Sequence, residues 1–506
     1  MANSAKSSNG AVVGLTATIG GLAAGNVIAA FVHGWHNPIV SIGNRVIDHV
    51  PSWLKTFAIR TFGVNDKTFL VVTIFIAVLA LGYLIGKEFL AGNSRRALWI
   101  VIAMSAVASL ASLFDAGANL FSTIPSIVSG FISFQILRFF KSYEDVTLEP
   151  GVEISRRDIF KAAGIVGLAS VGATGIGRLF HQHASVQLAR LKIILPKPLR
   201  ALAAPPKDPA LATPGLSKLF TPNEQFYRID TALSIPNLSI DSWKLTIDGL
   251  VSNPIELTYK ELTSRPVFEL DDTIACVSNE VGGQLVGNAR WLGIRLDDLI
   301  KEASPTSTAD QIMGYSSDGF TAGFPLAVLD GRDAMIAIGM NGEALPVAHG
   351  FPARIIVPGL YGYVSATKWL TRIELTRFDQ KQGYWIPRGW STLGPIKTQS
   401  RIDTPFDGSD LPRSRQAIAG VAWAPTRGIS HVEVRIDKEP WREATLGPEL
   451  AKTTWRQWWI DWSPTSGRHS IAVRATDGTG AVQKSTRVAV DPNGAEGWHT
   501  IQVSVN

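Results

Sequence analysis

Cys276 is the single cysteine among the 506 residues of the chain. One thiol cannot close an intramolecular disulfide, and an iron–sulfur site or a C-type haem attachment needs two or more cysteines. Three roles stay open for it: a small buried core residue, a nucleophile, or one thiolate on a metal. Residues 268–275 have the pattern of a strand that runs into a polar, glycine-rich loop. Cys276 is therefore predicted at a strand end, where ligands commonly meet protein.

Three sequence blocks, in this order along the chain, carry a family resemblance. They are Cys276-Val-Ser-Asn279, Ala289-Arg-Trp-Leu-Gly293 and His349-Gly-Phe-Pro-Ala-Arg354. Together they resemble the sulfite oxidase family of molybdopterin enzymes, in its membrane-anchored bacterial branch. The resemblance implies that Cys276 ligates molybdenum. The chemistry agrees, because a soft thiolate suits a soft, redox-active metal.

The resemblance also implies a set of residues that hold the cofactor, molybdopterin (Mo-pyranopterin). These residues are Asn223, Tyr227, Cys276, Asp318, His349, Arg354, Thr367 and Lys368. Arg354 can grip the cofactor phosphate with two parallel hydrogen bonds, whereas Lys368 supplies a point charge. Each has a simpler alternative when taken alone. Arg354 could pair with a nearby carboxylate, and His349 could be a satisfied histidine in a turn.

Two departures from the family pattern bear on the substrate. Sulfite oxidases have an arginine two residues before their equivalent of Glu224, where this chain has Pro222, and their active-site tyrosine aligns with Trp390. Losing a guanidinium and a phenol weakens the case for sulfite as the substrate. The candidates to replace the charge are Arg228, Arg388 and Arg401, and those to replace the phenol are Tyr361, Tyr363 and Tyr384. The catalytic candidates are Cys276, Arg228, Tyr384 and Trp390.

Four apolar stretches near the N-terminus lack Asp, Glu, Lys and Arg, and each approaches the ~20 residues that cross a bilayer core. They are residues 11–32, 68–86, 97–114 and 116–137. We predict four transmembrane helices. Pro125 favours a kinked or interior fourth helix, and Gly21-x-x-x-Gly25 favours close packing of the first.

A fifth helix is predicted in residues 162–177. Ser155-Arg156-Arg157-Asp-Ile-Phe160-Lys161 precedes it and resembles a twin-arginine export signal. The alternative is an ordinary basic flank on that helix. Both interpretations give the same topology, and we favour retention of the helix over its cleavage.

Positive charge predicts the orientation in the membrane. One side collects Lys6, Lys87, Arg95, Arg96, Arg138, Lys141, Arg156, Arg157 and Lys161, and the other collects Arg45, Lys55, Arg60 and Lys67. The N-terminus is therefore predicted in the cytoplasm. A fifth crossing then puts everything after Arg178 on the extracytoplasmic side, periplasmic or extracellular, of a multi-pass membrane protein.

These signals predict a multi-domain chain. We expect a four-helix transmembrane bundle in residues 1–150, and the twin-arginine motif, fifth helix and linker in 151–215. A mixed α+β molybdopterin-binding domain, like that of sulfite oxidase, follows in 216–400, and an immunoglobulin-like β-sandwich in 401–506. In the linker, basic residues suit anionic lipid headgroups, with a solvated spacer an equal alternative. These residues are Arg190, Lys192, Lys197 and Arg200.

The β-sandwich is predicted from four alternating stretches, residues 432–436, 455–462, 470–475 and 485–490. Its tryptophans are expected in the core and an interface rather than in an electron path. They are Trp455, Trp458, Trp459 and Trp462. Relatives of sulfite oxidase dimerise through such a domain, so the resemblance implies a possible homodimer.

The expected partners follow from what the chain lacks. No haem-binding Cys pair, flavin fingerprint or cluster motif is present, so one redox centre is expected. The candidate haem ligands His33, His36 and His49 fall on one predicted side, which excludes a two-haem relay across the bilayer. An external cytochrome, a membrane subunit or a quinone must then exchange electrons with the molybdenum. No basic stripe interleaved with aromatics suggests nucleic acid.

The leading hypothesis is a membrane-anchored, extracytoplasmic molybdenum-dependent oxidoreductase of the sulfite oxidase family. It would transfer an oxygen atom to or from a small substrate, a sulfur compound or a sulfoxide. The alternative is a membrane-tethered binding or scaffold protein that kept the fold and lost catalysis. A third hypothesis, a cysteine-nucleophile hydrolase, needs a histidine near Cys276, and only His349 qualifies within the predicted catalytic domain.

Overall fold

The fold is described from a computed structural model. It describes residues 2–32, 35–51, 54, 57–58, 61–62, 66–115, 118–146, 183–199, 201–205 and 213–506. Residues 1–189 and 231–237 form one compact unit, here called the helical unit, and residues 190–230 and 238–506 form another, the β-rich unit. The predicted twin-arginine motif (155–161) and fifth helix (162–177) lie outside the described residues.

The N-terminal part is helical. Its described α-helices are α1 (Ala2–Phe31), α2 (Pro38–His49), α3 (Asp66–Leu90), α4 (Ser94–Ser112) and α5 (Ile124–Val146), and α6 (His183–Leu191) follows. A 3-10 turn, Leu120–Thr123, leads into α5. It starts the fourth apolar helix later than the predicted residue 116. Pro125 is the second residue of α5, where a missing N–H costs no helical hydrogen bond, so the sequence gives no reason for a kink there.

Among the described residues, four segments are long and apolar enough to cross a membrane, as predicted. They are Gly10–Phe31, Asp66–Leu90, Ser94–Ser112 and Leu120–Ser142. Small residues bring the first close to its neighbours. A Cβ on Gly14 would lie 2.1 Å from the Gly82 oxygen, and one on Gly21 would lie 1.9 Å from Ser133 Oγ. Only glycine permits these approaches, which supports the packing role predicted for Gly21.

A buried polar cluster surrounds Asp115, in the connection between the third and fourth apolar segments. Its carboxylate accepts hydrogen bonds from Ser41 Oγ at 2.6 Å, Asn44 Nδ2 at 2.8 Å and His36 Nδ1 at 3.2 Å. Burial raises the pKa of Asp115, but these hydrogen bonds outweigh it, and the net shift is downward. The ionised carboxylate thus ties α2 to the end of α4.

The first part of the β-rich unit is mixed α+β. Its strands are β1 (Lys244–Gly249), β2 (Ile255–Thr258), β3 (Phe268–Ala275), β4 (Val286–Arg295), β5 (Gln311–Ser316), β6 (Thr321–Pro325), β7 (Met335–Met340), β8 (Glu343–Ala344), β9 (Arg354–Ile356) and β10 (Leu370–Thr376). Its α-helices are α7 (Tyr259–Thr263), α8 (Leu296–Ala303) and α9 (Gly362–Ser365). The sequence pattern predicts a strand in residues 243–249 and helices in 259–262 and 296–302, and these correspond to β1, α7 and α8.

Two sheets organise this part. One has the order β2-β1-β10-β5-β6, and the other has β3-β4-β7-β8 with β9 paired to β7. Alternating residues of β1, Leu245 and Ile247, are fully buried, and the same core includes Ile294 and Ile336 of the second sheet. In the second sheet the last residue of β3, Ala275, pairs with the first residue of β4, Val286. Cys276 follows at this end of the sheet.

The C-terminal part is β-rich. Its strands are β11 (Gln399–Thr404), β12 (Asp410–Leu411), β13 (Gln416–Trp423), β14 (Ile429–Ile436), β15 (Arg442–Glu443), β16 (Thr445–Leu446), β17 (Arg456–Trp462), β18 (Gly467–Asp477) and β19 (His499–Val505). They form two sheets, β11-β13-β17-β16 and β12-β19-β18-β14-β15, which share a buried apolar core. Trp458 and Trp462 belong to that core, as predicted, while Trp455 is buried in the larger core of the first part.

One predicted strand of this region is wrong. Residues 485–490 alternate in polarity but form only an isolated bridge, Val488 to Glu496. The segment lies on the way to the turn at Pro492 and Gly494, and the strand beside β18 is instead β19. Residues 485–489 are exposed, so this alternation lies in a surface connection rather than in a sheet.

Candidate functional site

Cys276 follows β3 directly and continues its pairing, since its N–H donates to the Leu285 oxygen at 2.9 Å. The residue is buried, 8% exposed. Burial raises the pKa of the Cys276 thiol, although hydrogen bonding from Ser278 and the charge of Lys368 lower it. A thiol in this setting keeps its proton until a cation or metal replaces it.

The loop after Cys276 is closed by its own polar groups. Asn279 N–H donates to the Cys276 oxygen at 3.0 Å, and the Asn279 side-chain oxygen accepts from Leu285 N–H at 2.7 Å. Gly282 has φ +80° and passes so close to His499 that a Cβ would lie 2.3 Å from the ring. The Cys-x-x-Asn spacing and this glycine thus shape the loop that presents the thiol.

Residues of the C-terminal part hold the same loop from outside. Arg401, 2% exposed, donates from Nη1 to the Gly283 oxygen at 2.9 Å and from Nη2 to Ser217 Oγ at 2.9 Å. Its Nε donates to Asp403 at 2.6 Å. His499 Nδ1 accepts from Ile402 N–H at 3.0 Å. Arg401 was a candidate for the missing substrate charge, but these three bonds make it a support of the Cys276 loop.

His349 and Asn223 are joined directly. His349 Nε2 donates to the Asn223 backbone oxygen at 2.9 Å, and the Asn223 side chain accepts from Asn341 Nδ2 at 2.8 Å and donates to Glu343 at 2.5 Å. Burial lowers the pKa of His349 to about 4, and the nearby charges of Arg354, Lys368 and Arg228 act in the same direction. The imidazole is therefore neutral at pH 7, with its proton on Nε2.

Arg354, in β9, is a buried cation. Its Nη1 donates to the His349 oxygen at 3.0 Å, and its guanidinium lies 5.1 Å from the Trp291 ring centroid. Burial lowers the pKa of Arg354 to about 10, so it stays charged at pH 7. Its Nε is buried without a hydrogen-bond partner among the described residues. A buried guanidinium with an unpaired donor is costly unless an anion completes it.

Lys368 is fixed by a carboxylate that it shares with Arg228. Lys368 Nζ donates to Asp230 Oδ2 at 2.8 Å, and Arg228 Nε donates to the same oxygen at 2.7 Å. Burial lowers the pKa of Lys368 to about 8, with Asp230 opposing the shift and Arg354 and Arg228 adding to it. The ammonium remains mostly protonated at pH 7 and is held in one position.

These groups are close enough for their charges to interact. Lys368 acts on Cys276, and Cys276 and Arg354 both act on Tyr227, whose pKa is raised first by burial. The structure therefore brings together six predicted site residues, Cys276 among them. They are Arg228, Tyr227, Cys276, His349, Arg354 and Lys368. Asn223 joins them through its hydrogen bond to His349.

Thr367 and Asp318 lie on neighbouring elements. Thr367 Oγ1 sits against Gly314 in β5, where a Cβ would come within 2.6 Å. Within the described parts of the chain, Thr367 Oγ1, Asp318 Oδ2 and Ser317 Oγ are buried without hydrogen-bond partners. The other Asp318 oxygen accepts from Phe320 N–H at 3.1 Å. Unpaired polar atoms of this kind indicate a polar ligand that the chain itself does not supply.

Residues 232–385 match the family model "Oxidoreductase molybdopterin binding domain". The family model covers most of these site residues, although Asn223, Tyr227, Arg228 and Asp230 lie before the matched range. The uncharacterized oxidoreductase YuiH of Bacillus subtilis is 32% identical over 152 residues, 30% of this chain and 74% of that protein. The chain belongs to the sulfite oxidase family of molybdopterin oxidoreductases. This membership confirms the expected class, a molybdenum-dependent oxidoreductase, and its cofactor, molybdopterin.

Characterised members are more distant. Human mitochondrial sulfite oxidase is 28% identical over 339 residues, 56% of this chain, and the match spans 62% of the human protein. The structure of the sulfane dehydrogenase SoxCD from Paracoccus pantotrophus superposes with a TM-score of 0.50 at 21% identity, covering 63% of this chain and 89% of that one. At this identity the likeness concerns the fold alone.

The residues present fit molybdopterin. The cofactor of this family needs a thiolate, cations for a phosphate, and polar groups for a pterin ring. This unit contains a buried thiol, two buried cations and three buried oxygens that have no hydrogen-bond partner among the described residues. Across the described residues, no group of three or more His, Cys, Asp or Glu side chains is placed to hold a metal ion.

The candidates for the missing phenol differ in their surroundings. Tyr361 is buried, and its pKa is raised to about 12 by burial, with Cys276 adding to the shift. Tyr363 donates to the Ser391 oxygen at 2.6 Å. Tyr384 packs against Phe320 and lies under the Arg388 guanidinium at 3.7 Å. Of the three, Tyr361 is the phenol on which the Cys276 charge acts.

Trp390 lies beside the Cys276 loop. It packs on an apolar cluster formed by Val281, Val490 and Ala495, and its ring is 5.9 Å from Tyr363. Sequence reasoning named Trp390 but missed Asp230, which fixes Lys368, and Ser317. The spacing Arg228-x-Asp230 indicates a local ion pair. The sequence gives no sign that Asp230 also pairs with Lys368, which lies 138 residues later in the chain.

Proposed function

We propose that the chain is a membrane-anchored, extracytoplasmic molybdenum oxidoreductase that transfers an oxygen atom to or from a small sulfur compound. In this proposal the Cys276 thiolate is a ligand of molybdenum. The observation that carries it is the buried thiol within electrostatic range of Lys368, together with the buried cation Arg354, whose Nε has no hydrogen-bond partner among the described residues. When bound, the cofactor supplies a metal that exchanges one oxygen atom and two electrons with the substrate.

Each residue of the site has a defined task in this proposal. Arg354 and Lys368 neutralise the cofactor phosphate, one as a fork and the other as a point charge. His349, neutral and donating to Asn223, offers Nδ1 as an acceptor for a ring N–H. Asn223, Asp318, Ser317 and Thr367 supply further polar atoms. Asp230 keeps Lys368 extended into the site, and Asn279 and Arg401 keep the thiol in place.

A sulfoxide or another weakly charged sulfur compound fits the site better than sulfite. Pro222, which replaces the family's anion-binding arginine, accepts from Gln225 and Phe226 N–H at 2.9 Å and so shapes a turn. Arg228 is engaged by Asp230 through Nε and Nη2. Tyr361 or Tyr227 can donate to the substrate oxygen, since their raised pKa values keep both phenols protonated. Oxidation of the sulfur consumes water and releases two protons and two electrons, and sulfoxide reduction takes them up.

A cofactor assay combined with a substrate screen tests the proposal. The full chain, expressed in a host that makes molybdopterin, is expected to carry about one molybdenum and one pterin per chain. It should then turn over a sulfoxide faster than sulfite with artificial electron carriers. Folded protein with neither metal nor pterin would contradict the enzyme and favour the scaffold alternative. Faster turnover of sulfite would overturn only the substrate preference.

The topology proposal rests on four segments that could cross a membrane and on the charge bias of their connections. It has the N-terminus in the cytoplasm, a twin-arginine-like signal before a fifth helix, and the β-rich unit outside. Reporter fusions after Glu88 and after Ser142 should be active on the cytoplasmic side. A fusion after Asn506 should be active on the other. An external cytochrome, membrane subunit or quinone would then exchange electrons with the site.

We further propose that the C-terminal part is an immunoglobulin-like sandwich that supports a homodimer. Two facing sheets around a common core, with β13 and β17 in one and β14, β18 and β19 in the other, support the first part. Light scattering of detergent-solubilised protein tests the second. A monomer mass at micromolar concentration would contradict it.

A further inference from the structure

A short segment of the β-rich unit displays large apolar side chains to solvent. Ile194 is 93% exposed, Leu199 81% and Leu191 67%. Ile194 and Leu199 are the most exposed large apolar side chains in the part of the chain that the structure describes. All three fall within nine residues, together with the exposed lysines Lys192 and Lys197. These five residues are called the 191–199 strip.

Hydrogen bonds near both ends of the strip attach it to the β-rich unit. Arg190 Nη1 donates to the Ala344 oxygen at 2.6 Å, and Leu199 N–H donates to the Val267 oxygen at 2.9 Å. Between these anchors Ile193 and Leu195 pack against the core of the unit while Ile194 points away. Pro196 and Pro198 restrict the backbone further. A solvated spacer is flexible, whereas here the backbone is fixed with apolar side chains directed to solvent.

The amino-acid composition of the strip indicates whether it contacts a protein or a lipid surface. Protein interfaces are enriched in aromatic residues and arginine and depleted in lysine. The strip has the opposite character, since aliphatic side chains alternate with two lysines and no aromatic residue is present. Aliphatic groups that enter an acyl layer, with lysine stems that carry their charge to anionic headgroups, are typical of an interfacial lipid contact. The candidate membrane segment Leu120–Ser142 also precedes the strip by fewer than fifty residues.

We propose that the 191–199 strip inserts into the surface of an anionic bilayer and so keeps the β-rich unit against the membrane. The inference rests on the proposed membrane attachment but not on the proposed chemistry. Leu191, Ile194 and Leu199 enter the boundary between headgroups and acyl chains, and Lys192 and Lys197 contact phosphates. The contact limits the tumbling of the unit, which favours exchange of electrons with a partner in the same membrane.

Spin labels on the full chain in lipid nanodiscs test the inference. Single variants Leu191→Cys, Ile194→Cys and Leu199→Cys are labelled, with Phe406→Cys as the matched control, because Phe406 is as exposed as Leu191, at 67%. The unmodified chain, whose Cys276 is buried, gives the background. In discs with phosphatidylglycerol the strip labels should collide with oxygen more than with a water-soluble nickel chelate. The Phe406 label should show the reverse.

The charge contribution is measured on the same labels. Lys192→Gln combined with Lys197→Gln should lower the docked-to-free ratio of the Ile194 label about 25-fold, since each lysine near an anionic surface contributes about fivefold. Purely phosphatidylcholine discs should lower it similarly. The molybdenum content of the same samples reports separately on the proposed chemistry.

Two results would overturn the inference. In the first, the strip labels are as accessible to the nickel chelate as the Phe406 label in anionic discs. In the second, they are shielded equally in all lipids and in detergent, with a spin–spin broadening that vanishes on dilution with unlabelled chain. That result would assign the strip to a second copy of the protein.

Discussion

Two buried polar clusters in this chain differ in how completely they are paired. In the helical unit the Asp115 carboxylate receives hydrogen bonds from His36, Ser41 and Asn44. In the β-rich unit Arg354 Nε and Thr367 Oγ1 are buried without partners among the described residues. The first cluster is complete in itself and fastens one helix to another. The second has polar atoms left over, which is what the proposed cofactor site requires.

The largest expected effect is that of Cys276→Ser on turnover. Outer-shell partners of metal ligands typically contribute 10–100-fold, so loss of the ligand itself should cost about 1000-fold or more. The rest of the fold should be unaffected, because serine is close in size to cysteine. Dye-coupled turnover and circular dichroism check this. Turnover within tenfold of the parent would remove Cys276 from the metal site.

Removing the carboxylate of the complete cluster should destabilise the helical unit. Asp115→Ala leaves the buried Ser41 hydroxyl and the partly buried Asn44 and His36 side chains without their acceptor, which should cost about 1.5–3 kcal/mol. Unfolding of the reconstituted chain by denaturing detergent, followed by tryptophan fluorescence and gel mobility, measures it. Asp115→Asn, which keeps an acceptor, is the control and should lose less. A cost below about 1 kcal/mol for the alanine variant would show that the cluster is not structural.

Acid should destabilise the β-rich unit through His349. Its folded pKa of about 4 lies below the ordinary value of 6.5, so the unfolded chain binds more protons between these pH values. The stability is intact above pH 6.5 and falls by roughly 3 kcal/mol on acidification to pH 4. His349→Gln, which retains a donor toward Asn223, should flatten this slope in chemical denaturation of the cofactor-free chain. Equal slopes in parent and variant would contradict the assignment.

The support from Arg401 should affect catalysis without a direct contact to substrate. Arg401→Met removes the donor to the Gly283 oxygen and should lower turnover about 10–100-fold with molybdenum retained. Arg415→Met is the control, because Arg415 forms an exposed pair with Asp461. If the two variants behave alike, the Cys276 loop does not depend on the C-terminal part.

The smallest expected change in stability is that of Arg354→Met, and it tests whether Arg354 binds a ligand or has a structural role like that of Asp115. Arg354→Met should change the stability of the cofactor-free β-rich unit by no more than about 1 kcal/mol, because it removes an incompletely paired buried cation. The same variant should fail to retain molybdopterin. Chemical denaturation and pterin fluorescence measure the two quantities. A large loss of stability without loss of pterin would make Arg354 a structural residue like Asp115.

Local patterns carried much of the prediction. The apolar stretches that became α1, α3, α4 and α5, and the strand that ends at Cys276, are set by composition and alternation within a few residues. Residues 485–490 misled for the same reason, since alternation alone cannot distinguish a strand from an exposed connection. The motif resemblance predicted from the sequence alone that Cys276, His349, Arg354 and Lys368 lie near one another.

Long-range pairing was not predictable. Arg401 looked available as a substrate cation, but its partners are Asp403 and two groups more than 100 residues earlier in the chain, Gly283 and Ser217. Asp230 was overlooked because its role depends on Lys368. Pairings of this kind follow from the packing of whole sheets and loops, which single-sequence patterns do not encode.

X-ray absorption at the molybdenum edge is the most direct test of whether Cys276 ligates molybdenum. The full chain with its cofactor and the Cys276→Ser variant are compared at equal metal content. The variant is expected to lose one sulfur scatterer from the first coordination shell, with the others unchanged. An identical number of sulfur neighbours in the two samples would contradict ligation by Cys276.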